Sequence, residues 1–165
     1  MRVLITGAGG FVGANLARWM SAQGRHVHVL LRPASAAWRL EGAAAERHYA
    51  DLRDPAATAT AVAAAAPQWV FHCAAYGAYS WQTDAARIHA TNVDGTVNLL
   101  EACRRSGVEV VVNTGSSSEY GYKDHAPSES EIPEPNSAYA LSKLWATEYC
   151  AYHARTHGSA VVTLR

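Results

Sequence analysis

Arg2-Val3-Leu4-Ile5-Thr6-Gly7-Ala8-Gly9-Gly10-Phe11-Val12-Gly13 decides how this chain folds. A short apolar run breaks at glycine, and helical spacing begins at Phe11: buried strand, glycine turn, helix. In that setting each glycine has its own task. Gly7 allows the tight turn, Gly10 lets backbone approach a pyrophosphate, and Gly13 lets the helix pack closely on the strand. The free N–H groups of the first helical turn, at Phe11 and Val12, add a partial positive charge to that phosphate seat.

The rest of the chain repeats the alternation. Phe11 to Gln23 is helical, with Leu16, Trp19 and Met20 as the expected inner face, and Gly24 stops it. Strands follow at His26–Leu31, Glu46–Ala50, Trp69–Cys73, Val108–Thr114 and Ala160–Leu164, with helices at Pro55–Ala66, Ala85–Ser106 and Ser137–His157. Strand after helix after strand predicts an α/β doubly wound parallel sheet (the Rossmann arrangement) of six strands over residues 1–165, with right-handed crossovers.

Bulk properties narrow the function. The 165 residues suit one domain, and 49% apolar content is enough for a core. A formal net charge of zero and no basic stripe exclude a nucleic-acid partner, and no run of 18 apolar residues exists to span a membrane. The N-terminus turns polar at once, unlike a signal peptide. Cys73, Cys103 and Cys150 are expected as buried free thiols in a reducing cytoplasm. The eight histidines are scattered, and no metal is assigned to them.

Three stretches carry chemistry. The second strand ends Leu30-Leu31-Arg32-Pro33, without the acid that holds a ribose 2′-hydroxyl; Arg32 could instead neutralise a 2′-phosphate, which tilts the cofactor toward NADP and leaves NAD open. Asp51 could accept from an adenine amino group or cap the helix at Pro55. A serine cluster, Gly115-Ser116-Ser117-Ser118-Glu119-Tyr120-Gly121, stands at the carboxyl end of the fifth strand, where open α/β sheets bind ligands. Next, Asn136 or Ser137 opens a helix that puts Tyr139 and Lys143 four apart on one face. A phenol with a pKa near 10 is a poor base at neutral pH; lowering it by about 3 units takes roughly 4 kcal/mol, which a neighbouring ammonium and a positive nicotinamide can supply. The polar loop Lys123 to Pro135 is expected to border this site.

These pieces, with Asp51-Leu52, His72-Cys73-Ala74-Ala75 and Asn92-Val93-Asp94-Gly95-Thr96-Val97-Asn98-Leu99-Leu100, resemble the extended short-chain dehydrogenase/reductases that work on nucleotide sugars. The resemblance implies that Tyr139 is the acid/base, that Lys143 tunes it and holds the nicotinamide ribose, and that Ser116 orients the substrate oxygen, with Ser117 the alternative one position on. It implies that Asp51, Leu52, Ala74 and Ala75 line the cofactor's path and that Asn92 braces the fourth strand. It further implies a homodimer through helices 85–106 and 137–157, with Trp145, Tyr149 and Tyr152 as an apolar stripe there or, equally, facing the home sheet. Members that dehydrate sugars carry an acid pair directly after the Ser/Thr. Here Ser117 and Ser118 stand there and Glu119 comes one later, which argues against 4,6-dehydration and leaves C4 epimerisation or ketone reduction. Members also run to about twice this length, so a substrate lobe is expected beyond Arg165. A non-catalytic dinucleotide-binding module, or a fragment of a longer enzyme, remains an alternative reading.

Overall fold

The computed structural model describes all of residues 1–165. Six parallel strands form one sheet: β1 (Arg2–Thr6), β2 (His26–Leu31), β3 (Ala45–Tyr49), β4 (Trp69–His72), β5 (Val110–Thr114) and β6 (Ala160–Leu164). The strand order is β3-β2-β1-β4-β5-β6, so the order reverses between β1 and β4. That reversal opens a crevice at the carboxyl ends of these two strands, as doubly wound sheets require.

The two faces of β1 show why the apolar run is continuous rather than alternating. Val3 and Ile5 pack with Ala14, Ala17 and Met20 of α1 (Phe11–Ala22), while Leu4 points the other way, into a core with Val62 and Ala65 of α2 (Pro55–Ala65) and Leu99 and Leu100 of the fourth helix. Each of these leucines is buried completely or nearly so, a contribution of about 1.5–3 kcal/mol per side chain.

The inner face of α1 is not the expected Leu16–Trp19–Met20 row. Gly13, Ala14, Ala17 and Met20 are buried, and Trp19 is 58% exposed. A Cβ placed on Gly13 would lie 2.6 Å from the Gly7 carbonyl oxygen. The helix therefore lies so close to the strand that only small residues fit beneath it, and the indole turns outward.

The long helix expected over 85–106 is interrupted. It consists of α3 (Ala85–His89), a π-helical turn at Ala90–Asp94, and α4 (Gly95–Arg105). The wide turn carries Asn92, and such bulges gather at functional positions. After β5 a short 3₁₀ turn (Ser117–Tyr120) leads into the Lys123–Pro135 loop, pinned by Lys123 to Glu134 at 2.7 Å, and then α5 (Ala138–His157). Ser137 is the cap of α5, its hydroxyl accepting from the Ala140 amide at 3.1 Å. Asp54, rather than Asp51, caps α2, accepting from Ala56 and Ala57. On α5, Trp145 and Tyr152 are exposed and stack in series with the half-buried Tyr149, so the stripe faces away from the home sheet for the first two. The outer strand β6 pairs only with β5 and leaves Val162 and Leu164 more than half exposed.

Candidate active site

A cleft of about 460 Å³ runs along the carboxyl edge of the sheet, over the crevice between β1 and β4. Gly7, Gly10, Arg32, Asp51, Leu52, Ala74 and Ala75 all line it. Phe11 and Val12 place their side chains in solvent, and Gly13 lies beneath the turn. What Phe11 and Val12 offer the cleft is backbone N–H. No side chain caps Gly10 and no acid stands in the first turn of α1, so the unpaired amides and the helix's positive end stay available to an anion. The turn itself touches β4: a Cβ on Gly7, at φ 66°, would lie 2.5 Å from the Ala74 nitrogen and 2.6 Å from the Cys73 carbonyl. A close backbone cradle, uncapped amides and an elongated cleft fit a dinucleotide.

At the β2 end, Arg32 lines the cleft with Arg39, which the sequence reading passed over; no acid follows β2. Asp51 is bound by Arg53 at 2.6 Å, and that contact, led by the side-chain hydrogen bond, holds its carboxyl below the usual range.

The cleft floor is set by a directional hydrogen-bond relay that the sequence did not reveal. The Ala74 amide donates to Thr6 Oγ1 (3.3 Å), Thr6 to His72 Nδ1 (2.7 Å), His72 Nε2 to Thr96 Oγ1 (3.0 Å), and Thr96 to the Asn92 carbonyl (2.6 Å). The two ends fix every proton between them: Thr96 spends its hydrogen on a carbonyl, so His72 must donate from Nε2 and accept at Nδ1. Burial, aided by Lys143, pushes the His72 pKa down to about 3, which keeps the ring neutral as the relay requires.

Asn92 extends this frame. Its amide accepts from the Tyr76 N–H and donates to the Tyr76 carbonyl, both at 2.8 Å, and donates to Ser142 Oγ of α5 at 2.9 Å. It thus braces the loop after β4 and ties that loop to the helix of Tyr139, rather than lining the cleft. Asn92→Ala would strip the Tyr76 N–H and carbonyl of their side-chain partner and cut the tie to Ser142. A loss of about 2–4 kcal/mol is expected in denaturant unfolding; a change below 1 kcal/mol would contradict the bracing role.

Tyr139 and Lys143 rise from the first turns of α5. The Tyr139 ring packs under the backbone at Gly77, next to the cleft-lining Tyr76. Lys143 is buried, and its Nζ donates to the Thr114 carbonyl at the end of β5 at 2.6 Å. Burial pushes that ammonium below its ordinary value, opposed by Glu119. Ser116 caps the 3₁₀ turn, its Oγ accepting from the Ser118 amide at 3.1 Å, and its side chain lies near enough to the Tyr139 phenol to act on its pKa. Ser116, not Ser117, is therefore the serine beside the tyrosine. The phenol differs from expectation in one respect. Burial raises its pKa and Glu119 adds to the rise, against the Ser116 hydrogen bond. The Lys143 ammonium is directed to the Thr114 carbonyl, and its charge is felt by His72, Cys73 and Glu119.

Glu119 is fully buried and turned from the cleft; its carboxylate accepts from the Ser116 amide at 2.8 Å and from Thr147 at 3.1 Å. The acid nearest the serine cluster is thus a structural brace and cannot reach a substrate. Burial raises its pKa above the ordinary 4.5. The protonated form is the one the fold prefers, so its contribution is full below the unfolded value and is lost as pH rises through the folded value. Glu119→Gln keeps the acceptor without the charge and is expected to flatten the decline of melting temperature above about pH 4.5. An unchanged slope would place the decline elsewhere. Cys73 also borders the cleft and is only half-buried, unlike Cys103 and Cys150; burial raises its thiol to about 11, an inert state.

Known proteins share this geometry. The profile of the NAD dependent epimerase/dehydratase family matches residues 3–165. The chain is 37% identical over 152 residues to UDP-glucose 4-epimerase of Mycolicibacterium smegmatis, with 87% of this chain and 48% of that protein covered. It is 34% identical over 147 residues to sterol demethylase protein B of Methylococcus capsulatus, covering 87% of this chain and 44% of that one. The crystal structure of Thermus thermophilus UDP-glucose 4-epimerase in complex with NAD superposes with a TM-score of 0.92 at 32% identity, over 100% of this chain and 54% of that one. The chain spans about half the length of the curated relatives it matches. A family match over nearly every residue and a sheet that overlays a solved member along its whole length place the chain in the NAD-dependent epimerase/dehydratase family.

Proposed function

We propose that this chain binds NAD(P) and serves hydride transfer at a ring carbinol or ketone of a nucleotide sugar, as an epimerase or a ketoreductase. The observation that carries the reading is the meeting of Ser116 and Tyr139, above the buried Lys143, beside a cleft shaped for a dinucleotide. Bound in the cleft, the nicotinamide would take up or deliver the hydride. The chain's own part is the proton. Tyr139 holds it at the phenol oxygen, and Ser116 orients the reacting oxygen by a hydrogen bond. Lys143 fixes the end of β5 through Thr114, and its charge reaches the cleft-lining Cys73. A positive nicotinamide bound beside the phenol would favour its ionised form, opposing the rise that burial causes. Dehydration is disfavoured because Glu119 is occupied as a brace.

Arg32 and Arg39 at the β2 end, with no acid directly after β2, support NADP over NAD. Calorimetric titration of the chain with each dinucleotide tests both levels. Binding is expected, tighter for NADP, with Arg32→Glu reversing the order. No binding of either dinucleotide would overturn the proposal, and tighter NAD binding that Arg32→Glu leaves unchanged would remove only the NADP preference. The exposed Trp145–Tyr152 row with Leu141 supports pairing of two copies through α5. The three unpaired thiols support a reducing cytoplasmic setting, and no helix is long and apolar enough to cross a membrane.

The raised phenol favours a second reading, a module that binds dinucleotide without turning it over. Unchanged activity in Tyr139→Phe, with binding intact, would select it.

A further inference from the structure

We propose that His28, Glu46 and His48 form a Zn²⁺-binding site on the β2–β3 edge of the sheet, separate from the cleft. Register alone brings them together. His28 on β2 pairs with Glu46 on β3, and His48 lies two residues further along the same strand, hence on the same face. The three side chains therefore stand side by side on rigid backbone rather than on a loop.

Their ligand atoms converge. His28 Nδ1 and His48 Nε2 lie 3.0 Å apart, His28 Nδ1 and Glu46 Oε2 3.7 Å, and His48 Nε2 and Glu46 Oε1 3.6 Å. Zinc bonds of about 2.0–2.1 Å in tetrahedral array set ligand atoms roughly 3.3–3.4 Å apart. The observed separations straddle that value, so a cation fits with sub-ångström adjustment, most easily by the exposed Glu46. Both imidazoles are nearly buried, at 11% and 10% side-chain exposure, while the carboxylate reaches solvent. Two imidazoles and one carboxylate form the three-ligand set of open zinc sites, with a water completing the shell. A recess of about 290 Å³ beside His28 and Glu46 gives that water room. Burial holds His28 below its ordinary pKa, opposed by Glu46, a direction that favours the neutral ring a metal needs. A single carboxylate makes the site poor for Mg²⁺ or Ca²⁺.

The location gives the site a consequence. Leu30 and Ala50, two residues further along β2 and β3 on the same face, line the dinucleotide cleft. An ion at His28–His48 would clamp the two strands roughly 7 Å below the cleft's arginine end. The other His/Glu cluster, Glu101 with His153 and His157, is a weaker candidate, because Arg104 already holds Glu101 at 3.0 Å.

The test uses the untagged full chain. Calorimetry with Zn²⁺ near pH 7.5 is expected to show one site, and Co²⁺ to give the intense visible absorption of four-coordinate metal. Mg²⁺ is expected to show no heat of binding, and Zn²⁺ to raise the melting temperature. His48→Gln and the exposed Glu46→Gln are each expected to weaken Zn²⁺ on the order of a hundredfold, with circular dichroism verifying that the variants fold. If His48→Gln fails to fold, Glu46→Gln reads the same site. Absence of Zn²⁺ binding would overturn the proposal. So would binding that survives Glu46→Gln, or that disappears in His157→Gln or Cys73→Ser instead.

Discussion

Tyr139→Phe is expected to lower hydride transfer by about 10²–10⁴ while dinucleotide affinity changes by no more than a small factor. The argument rests on what the substitution leaves in place. The ring still packs under Gly77, Ser137 still caps α5, and Lys143 still holds Thr114. Only the phenol oxygen goes, and with it the titratable group beside the Ser116 side chain. A fall in rate with binding preserved marks loss of an interaction made in the transition state. The measurement is the near-ultraviolet absorbance of reduced nicotinamide after mixing the NAD(P)-loaded chain with UDP-sugars in a single turnover. Equal rates for the two proteins would remove Tyr139 from the chemistry.

Gly7→Val is expected to cost at least about 4 kcal/mol, a large share of a typical total of about 5–15 kcal/mol. The left-handed backbone at Gly7 adds about 1–2 kcal/mol for any side chain. The larger part is steric. The new Cβ would overlap the Cys73 carbonyl and the Ala74 nitrogen, and neither can retreat. β4 is a central strand bonded to β1 and β5, and the Ala74 amide opens the relay through Thr6, His72 and Thr96. Gly10→Ala is the contrast. Its Cβ would meet only the Gly7 carbonyl oxygen, at 3.2 Å, so the fold survives and any loss appears in dinucleotide affinity. Thermal melts and soluble yield decide the first variant, titration the second. A Gly7→Val protein melting within a few degrees of the parent would show that the turn can rebuild itself.

The parts of the fold that were legible in the sequence are those governed by local rules. The strand–glycine–helix unit, the strand boundaries and the cap of α5 depend on φ, on periodicity and on one hydroxyl within reach of an amide. Trp19 was misread because apolarity suggested burial, whereas the spacing between α1 and β1 admits only small residues. The π turn at Ala90–Asp94 satisfies a tertiary need, carrying Asn92 to Tyr76 and Ser142, and leaves no local signal. Glu119 could be read as an acid near a substrate until burial showed it bracing Ser116 and Thr147. His72 and the His28–Glu46–His48 set become visible only once strand register and hydrogen-bond direction are known. His153 and His157, four apart on α5, were there to be seen in the sequence and were overlooked.

The two margins of the sheet differ in a way that governs how the protein behaves when concentrated. The β3 margin carries Glu46 and Arg47, charges that discourage another chain from adding a strand. The β6 margin offers a row of unpaired backbone groups flanked by bare Val162 and Leu164. Within residues 1–165, a single lysine in place of Val162 would give the β6 margin the gatekeeper that Glu46 and Arg47 give the β3 margin.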